Sequence, residues 1–118
     1  MEKQIFGQIG RLRRDKIAEY RELHANAWPG VLKTIEDCNL QNYSIFIHDD
    51  LVFAYFEYTG EDYEKDMGKM AQDPVTQDWW THTKPCFVKF SMGQDSEFYR
   101  DMEQIFYLEG NLECKGGE

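Results

Sequence analysis

No apolar run in the chain approaches the length of a membrane span. The longest, Leu51 to Phe56 and Ile105 to Leu108, fall far short of the roughly 18 residues a spanning helix needs. Cysteine is scarce and unpaired in number. The three thiols, Cys38, Cys86 and Cys114, are widely spaced, so no disulfide framework is expected and a reducing compartment suits them. No local signature marks one of them as a nucleophile, and each reads as a small apolar packing residue. Positive charge is also short: the formal net charge is −9. Such a surface repels phosphate backbones, which argues against nucleic acid as a partner and leaves a neutral small molecule unaffected. The sequence holds no Gly-rich phosphate loop, no His-Glu-x-x-His pair and no nucleophile elbow. Met1-Glu2-Lys3-Gln4 carries neither the basic region nor the apolar stretch of a secretion signal, so the expected location is the cytoplasm.

What remains is a short chain rich in aromatic residues. Its 118 residues suit one domain, expected over 1–110 with a polar tail over 111–118. Aromatic residues make up 15%, enough for a core, an interface or a stacking pocket.

The hydrophobic periods predict an order of elements. Lys3 to Arg11 alternates as a strand, with Ile5, Gly7 and Ile9 on one face and Phe6 on the other. Asp15 is placed to start a helix running to about Ala25. Pro29 opens a second helical piece with Val31, Leu32 and Ile35 as its apolar face, and Asn39 is its stop. Asn42 to His48 and Leu51 to Tyr58 read as strands joined by an Asp49-Asp50 turn, hence an antiparallel hairpin. The second of these is apolar on both faces, the pattern of a strand buried on both sides. Helical signal returns from Glu61, and Asp73-Pro74 begins a further helical piece that Pro85 closes. Cys86 to Phe90 has strand character, Met92 to Ser96 reads as loop, and Met102 to Leu108 is expected to be the last strand. Strand, helix, strand, strand, helix, strand is a ferredoxin-like α+β order: an antiparallel sheet with helices on one face. The other face then needs cover, and in so short a chain a second subunit is the natural source, so a homodimer is expected.

Chemistry concentrates in Glu19 to Pro29. Tyr20, His24 and Trp28 fall at i, i+4 and i+8, which on a helix share one face. An imidazole can move a proton near neutral pH, a phenol can hold a polar ligand, and an indole can cover an apolar side. The plain alternative is a buried aromatic seam around a core histidine. Trp79 and Trp80 are neighbours, so on a helix they point about 100° apart and one face cannot hold both. Flat indoles suit the C–H face of a sugar ring, but they equally suit a core or a subunit contact. Tyr43 opens the hairpin, where its phenol reaches a ligand or caps the sheet edge. His48 beside Asp49 and Asp50 offers metal-ligand chemistry, yet adjacent turn residues rarely converge on one ion, and no metal or other cofactor is expected. His82 reads as a solvated residue near a helix end.

Glu19-Tyr20 through His24 to Trp28-Pro29, then Asn42-Tyr43-Ser44-Ile45-Phe46, then Trp79-Trp80, and finally Glu103-Gln104-Ile105-Phe106-Tyr107-Leu108 together resemble the L-rhamnose mutarotase family. The similarity covers most of residues 4 to 109. It implies a ferredoxin-like fold paired into a dimeric α/β barrel, and interconversion of the α and β anomers of a 6-deoxy sugar without any cofactor. It also implies His24 as proton donor, with Tyr20, Tyr43, Trp79 and Trp80 contacting the monosaccharide. The resemblance puts L-rhamnose first as substrate and L-fucose next; Pro85 to Gly93 matches the family pattern less clearly, which leaves L-fucose and related 6-deoxy sugars open. The readings set against this are a small oxidoreductase on the same dimeric fold, of the cofactor-free monooxygenase or haem-degrading type, and a non-catalytic sugar-binding protein.

Overall fold

The computed structural model describes residues 3–88 and 98–110. Strand β1 (Gln4–Leu12) leads through a short 3-10 turn into helix α1 (Ile17–Ala25), followed by α2 (Pro29–Asp37). The hairpin β2 (Leu40–His48) and β3 (Leu51–Tyr58) comes next, then α3 (Tyr63–Gln72), α4 (Pro74–Thr83), β4 (Phe87–Val88) and β5 (Arg100–Asp101). The sheet runs β2-β3-β1-β4, all antiparallel. β4 and β5 share one edge of β1: the first pairs with Arg11 and Leu12, the second with Gln8 and Ile9.

Local chemistry explains the breaks. Asp62 and Asp73 cap α3 and α4 by accepting the amides of Lys65 (3.2 Å) and Thr76 (2.8 Å). A cap of this kind is worth about 1 kcal/mol. Pro29 and Pro74 occupy the first helical turn, where no amide hydrogen is missed. Asn39 ends α2 at φ 69° and Asp49 turns the hairpin at φ 55°, left-handed conformations that these side chains tolerate.

The register divides the sheet into two unlike faces. Leu12, Val52, Phe56 and Tyr58 point to the helices and are buried. Leu12 and Val52 pack with Tyr20 of α1, and Phe56 and Tyr58 pack with Ile35, Tyr63, Met67 and Met70. On the opposite face the paired positions bring Ile5, Ile9, Phe46, Phe53 and Tyr55 together, and no helix covers them among the described residues.

Three expectations change. Asp15 does not start α1; it lies in the 3-10 turn, and Lys16 stands at the cap position without a side-chain cap bond. Trp28 is not on the α1 helix, because the helix stops at Ala25 and Trp28 is extended before Pro29 (φ −71°, ψ 134°). Met102 to Leu108 is not a sheet strand. The Met102 amide bonds the Gly7 carbonyl (2.7 Å), and then the chain leaves the edge of β1. A strand needs a neighbour to satisfy its amides, and this one alternates apolar groups to both sides. Ile105, Phe106 and Leu108 keep 88%, 79% and 79% of their surface open. The loop expected at Met92 to Ser96, the end of the strand expected at Cys86 to Phe90, Cys114 and the tail 111–118 lie outside the described residues. Cys38 and Cys86 are buried free thiols, as expected of packing cysteines, and burial pushes both up in pKa.

Candidate functional site

Helix α1 presents Tyr20 and His24 one turn apart, their ring centres separated by 4.2 Å. Tyr20 is 4% exposed and His24 is half-buried. Nδ1 of His24 lies 3.0 Å from the Tyr20 backbone carbonyl. A carbonyl oxygen only accepts, so Nδ1 carries the hydrogen. In the neutral ring Nε2 is then the bare lone pair. Burial lowers the His24 pKa below 6.5, against a smaller opposing pull from that same carbonyl. At neutral pH the ring is therefore a proton acceptor at Nε2.

Trp79 reaches the imidazole from α4. Its ring stands edge-on to His24 at 5.4 Å and edge-on to Trp28 at 5.2 Å. Trp28 thus joins the aromatic group from an extended residue rather than from a shared helix face. On its other side it meets His82 at 5.4 Å.

Tyr43 arrives from the sheet by way of a bulge. The pairing of β2 with β3 slips between Gln41 and Ser44, and Asn42 sits there at φ 51°. Glu57 pins the slip: it accepts from Tyr55 Oη (2.6 Å), Asn42 Nδ2 (2.9 Å) and Gln41 Nε2 (3.1 Å). Those bonds, Tyr55 foremost and Asn42 next, hold the Glu57 carboxyl at about 2. Beyond the bulge Tyr43 turns to the helix side and stacks on Phe56 at 5.0 Å. Although 38% of the residue is open, its hydroxyl is desolvated, which raises the pKa of the phenol.

A third phenol joins these, one the sequence did not single out. Tyr99 Oη lies 2.9 Å from Tyr20 Oη, in the stretch that leads into β5. Phe87 stands edge-on to both rings, at 5.3 Å from Tyr20 and 5.1 Å from Tyr99. Gly10 makes room for it: a Cβ there would come within 2.8 Å of the Phe87 ring. Nothing in the residues around Tyr99 carries a motif, and only the pairing of β5 with β1 brings it to Tyr20. Desolvation is the largest cause that raises the Tyr20 and Tyr99 pKa values, so both are neutral phenols at pH 7.

Two adjoining cavities meet at His24. One, of about 330 Å³, is lined by His24, Tyr43, Trp79, Ile35 and Val31 among others. The second, of about 390 Å³, is lined by Tyr20, His24, Arg21 and Ile45. Tyr20, His24, Tyr43 and Trp79 are therefore brought together. Trp80 is not: it lines a separate, larger cavity with Arg13, Lys84 and Phe87, its ring under the Lys84 ammonium at 4.3 Å. Among the described residues that larger cavity is lined by no histidine or carboxylate, so size alone does not mark the site. His48 pairs with Asp49 at 3.5 Å on the exposed hairpin turn, far in register from this group. His82 is an exposed residue on the last turn of α4, 3.8 Å from Asp78. Among the described residues no cluster of three metal-ligating side chains occurs. The group at His24 offers one proton carrier, neutral phenol donors and indole and aliphatic walls, which suits acid–base chemistry on a small polar ligand with an apolar side.

A family model described as L-rhamnose mutarotase matches residues 6–108. The chain is 34% identical over 100 residues to the L-rhamnose mutarotase of Bacillus subtilis, an alignment covering 80% of this chain and 88% of that protein. It is 33% identical over 97 residues to the L-rhamnose mutarotase of Oceanobacillus iheyensis, with the same coverage. In fold it is similar to the crystal structure of an L-rhamnose mutarotase from Formosa agariphila, with a TM-score of 0.70 at 21% identity over 90% of this chain and 99% of that one. It is also similar in fold to tetracenomycin F2 cyclase, a type II polyketide cyclase from Streptomyces glaucescens, with a TM-score of 0.65 at 10% identity over 92% and 99% of the two chains.

Proposed function

The chain belongs to the L-rhamnose mutarotase family, and from that premise we propose that it interconverts the α and β anomers of L-rhamnose by acid–base ring opening at His24. L-Fucose is the next sugar in line. The observation that carries the mechanism is the 3.0 Å approach of His24 Nδ1 to the Tyr20 carbonyl, which leaves Nε2 free to take a proton, while burial lowers the pKa of the ring.

Mutarotation needs one proton taken from the anomeric hydroxyl and one given to the ring oxygen. The bond from the anomeric carbon to the ring oxygen breaks as the carbonyl forms. The open aldehyde turns about its bond to the next carbon and closes on its other face. Neutral His24 takes the anomeric proton at Nε2, and the imidazolium then gives a proton to the ring oxygen. Donation, the role implied by the family resemblance, is thus the second half of a shuttle. The raised pKa values of Tyr20 and Tyr43 make them poor proton donors and keep them neutral phenols that can hydrogen-bond a sugar. In this reading they orient the sugar and hold charge that develops on its oxygens, while Trp79 supports its apolar side. Trp80, in its separate cavity, makes the weakest claim to a sugar contact.

We place this activity in one domain over 1–110, paired into a homodimeric barrel and located in the cytoplasm. The uncovered face with Ile5, Ile9, Phe46 and Phe53, and the exposed Ile105, Phe106 and Leu108, support the dimer. The unpaired, buried Cys38 and Cys86 support a reducing compartment. Among the described residues no helix is long and apolar enough to cross a membrane.

The test is saturation-transfer NMR between sugar anomers, run over L-rhamnose, L-fucose and common hexoses. The expected result is exchange above the uncatalysed rate, fastest for L-rhamnose. Oxygen uptake with a quinol and no exchange for any sugar would return the chain to the oxidoreductase reading. Sugar binding without exchange would make it a binding protein.

A further inference from the structure

We propose that Tyr99 is a positioning residue of the sugar site, fixing the phenol of Tyr20 through the hydroxyl–hydroxyl bond and, through Tyr20, the setting of His24; this rests on the mutarotase reading above. The geometry forms a continuous chain. Tyr99 Oη meets Tyr20 Oη at 2.9 Å, the Tyr20 ring lies 4.2 Å from the imidazole, and the Tyr20 carbonyl holds Nδ1 at 3.0 Å. Phe87 wedges both phenols from one side and is itself seated over Gly10.

A phenol has one hydrogen to give and an oxygen that accepts. In a pair of phenols only one hydrogen lies between the oxygens. Bonded to Tyr99, Tyr20 therefore has its rotation stopped and one of its two hydrogen-bonding options taken. Either oxygen can be the donor in this pair, and in both senses the bond fixes the Tyr20 hydroxyl against Tyr99. The Tyr20 hydroxyl is thereby held in one orientation toward a ligand. Without Tyr99 the Tyr20 hydroxyl turns freely. Tyr99 also lies close enough to Tyr43 to raise that phenol's pKa, so one side chain influences both proposed sugar-binding phenols.

Tyr99→Phe removes one oxygen and keeps the ring against Phe87. The expected effect is a KM for L-rhamnose raised about fivefold, the loss of one net hydrogen bond, with kcat changed by less than about twofold. A merely structural role would add to any other change. The decisive readout is therefore a double-mutant cycle with Tyr20→Phe: once the Tyr20 oxygen is gone, Tyr99→Phe is expected to add nothing. Additive effects, or a KM unmoved by Tyr99→Phe in a folded protein, overturn the proposal. A second measurement needs no substrate and keeps this test separate from that of the mutarotase reading. The shared hydroxyl proton should give a slowly exchanging downfield proton NMR signal that disappears in both single variants. Its absence from the wild-type protein would overturn the bond itself, even if sugar exchange were observed.

Discussion

The two faces of one sheet are built from similar residues and end in different states. On the helix side, Phe56 stacks on Phe6 at 5.0 Å, Tyr43 stacks on Phe56, and buried Val52 faces Tyr20. On the open side, Phe46, Phe53 and Tyr55 are as aromatic, yet Phe46 keeps 63% of its surface exposed. The difference lies in what covers them. Four helices close one face and leave a desolvated pocket in which His24 and the phenols shift their titrations. No element of the described chain closes the other, and its strongly shifted groups, Glu57 and Tyr55, are shifted first by the hydrogen bond between them. Aromatic content alone therefore does not make a reactive site; exclusion of water around a titratable group does.

The largest effect that tests this contrast is on the helix side. His24→Ala is expected to slow anomer exchange about 100- to 10,000-fold, the usual worth of a general acid–base. Sugar affinity by calorimetry should stay within about threefold, because binding rests on the phenols and Trp79. The pH profile carries a sign. Burial lowers the His24 pKa, so the neutral, proton-accepting ring persists below pH 6.5 and exchange should fall only as pH drops through the lowered value. Full exchange in a folded His24→Ala protein would make this residue part of an inert core.

A middle-sized effect belongs to the open face. Phe46→Asp is exposed in a lone chain, where a surface change shifts stability by about 0.5 kcal/mol or less. Against a second copy the same carboxylate should weaken association by about 2 kcal/mol or more. Light scattering should therefore report a wild-type dimer at micromolar concentration and a monomeric variant with unchanged circular dichroism. A wild-type monomer would leave the open face without its proposed partner.

The smallest effect is in acid. The Glu57 pKa is depressed from 4.5 to about 2, so what its charge adds to stability is complete above 4.5 and lost as pH falls toward about 2. Urea unfolding across that window should be less steep in pH for Glu57→Gln than for wild type. Equal slopes would mean that the bulge is held without the carboxylate.

Much of the frame was readable from residue order because it depends on local chemistry. The alternation of Tyr43, Ile45 and Ile47, the Asp49-Asp50 turn, the stop at Asn39 and the break before Pro29 act over a few residues and reappear in the structure. His24 over Tyr20 was equally legible, since i and i+4 meet on any helix. Asp15 misled because a capping residue signals a helix near it, while the 3-10 turn moved the helix start past it. Met102 to Leu108 misled for a different reason: its strand propensity is real, but propensity supplies no hydrogen-bonding neighbour.

By itself, then, the sequence determined the elements and their order as far as α4 and the imidazole–phenol pair, all set by contacts within a turn or a hairpin. Family membership was legible too, because it lies in the spacing of Tyr20, His24, Tyr43 and the tryptophans along the chain. Only the tertiary structure decided which of Trp79 and Trp80 faces His24. The 100° between them is a property of any helix, but the direction of α4 is set by its packing against Trp28. It also brought Tyr99 to Tyr20, 79 positions apart, through the pairing of Arg100 with Ile9. And it fixed the protonation state of His24, because desolvation depends on everything that surrounds a ring and not on its neighbours in the chain.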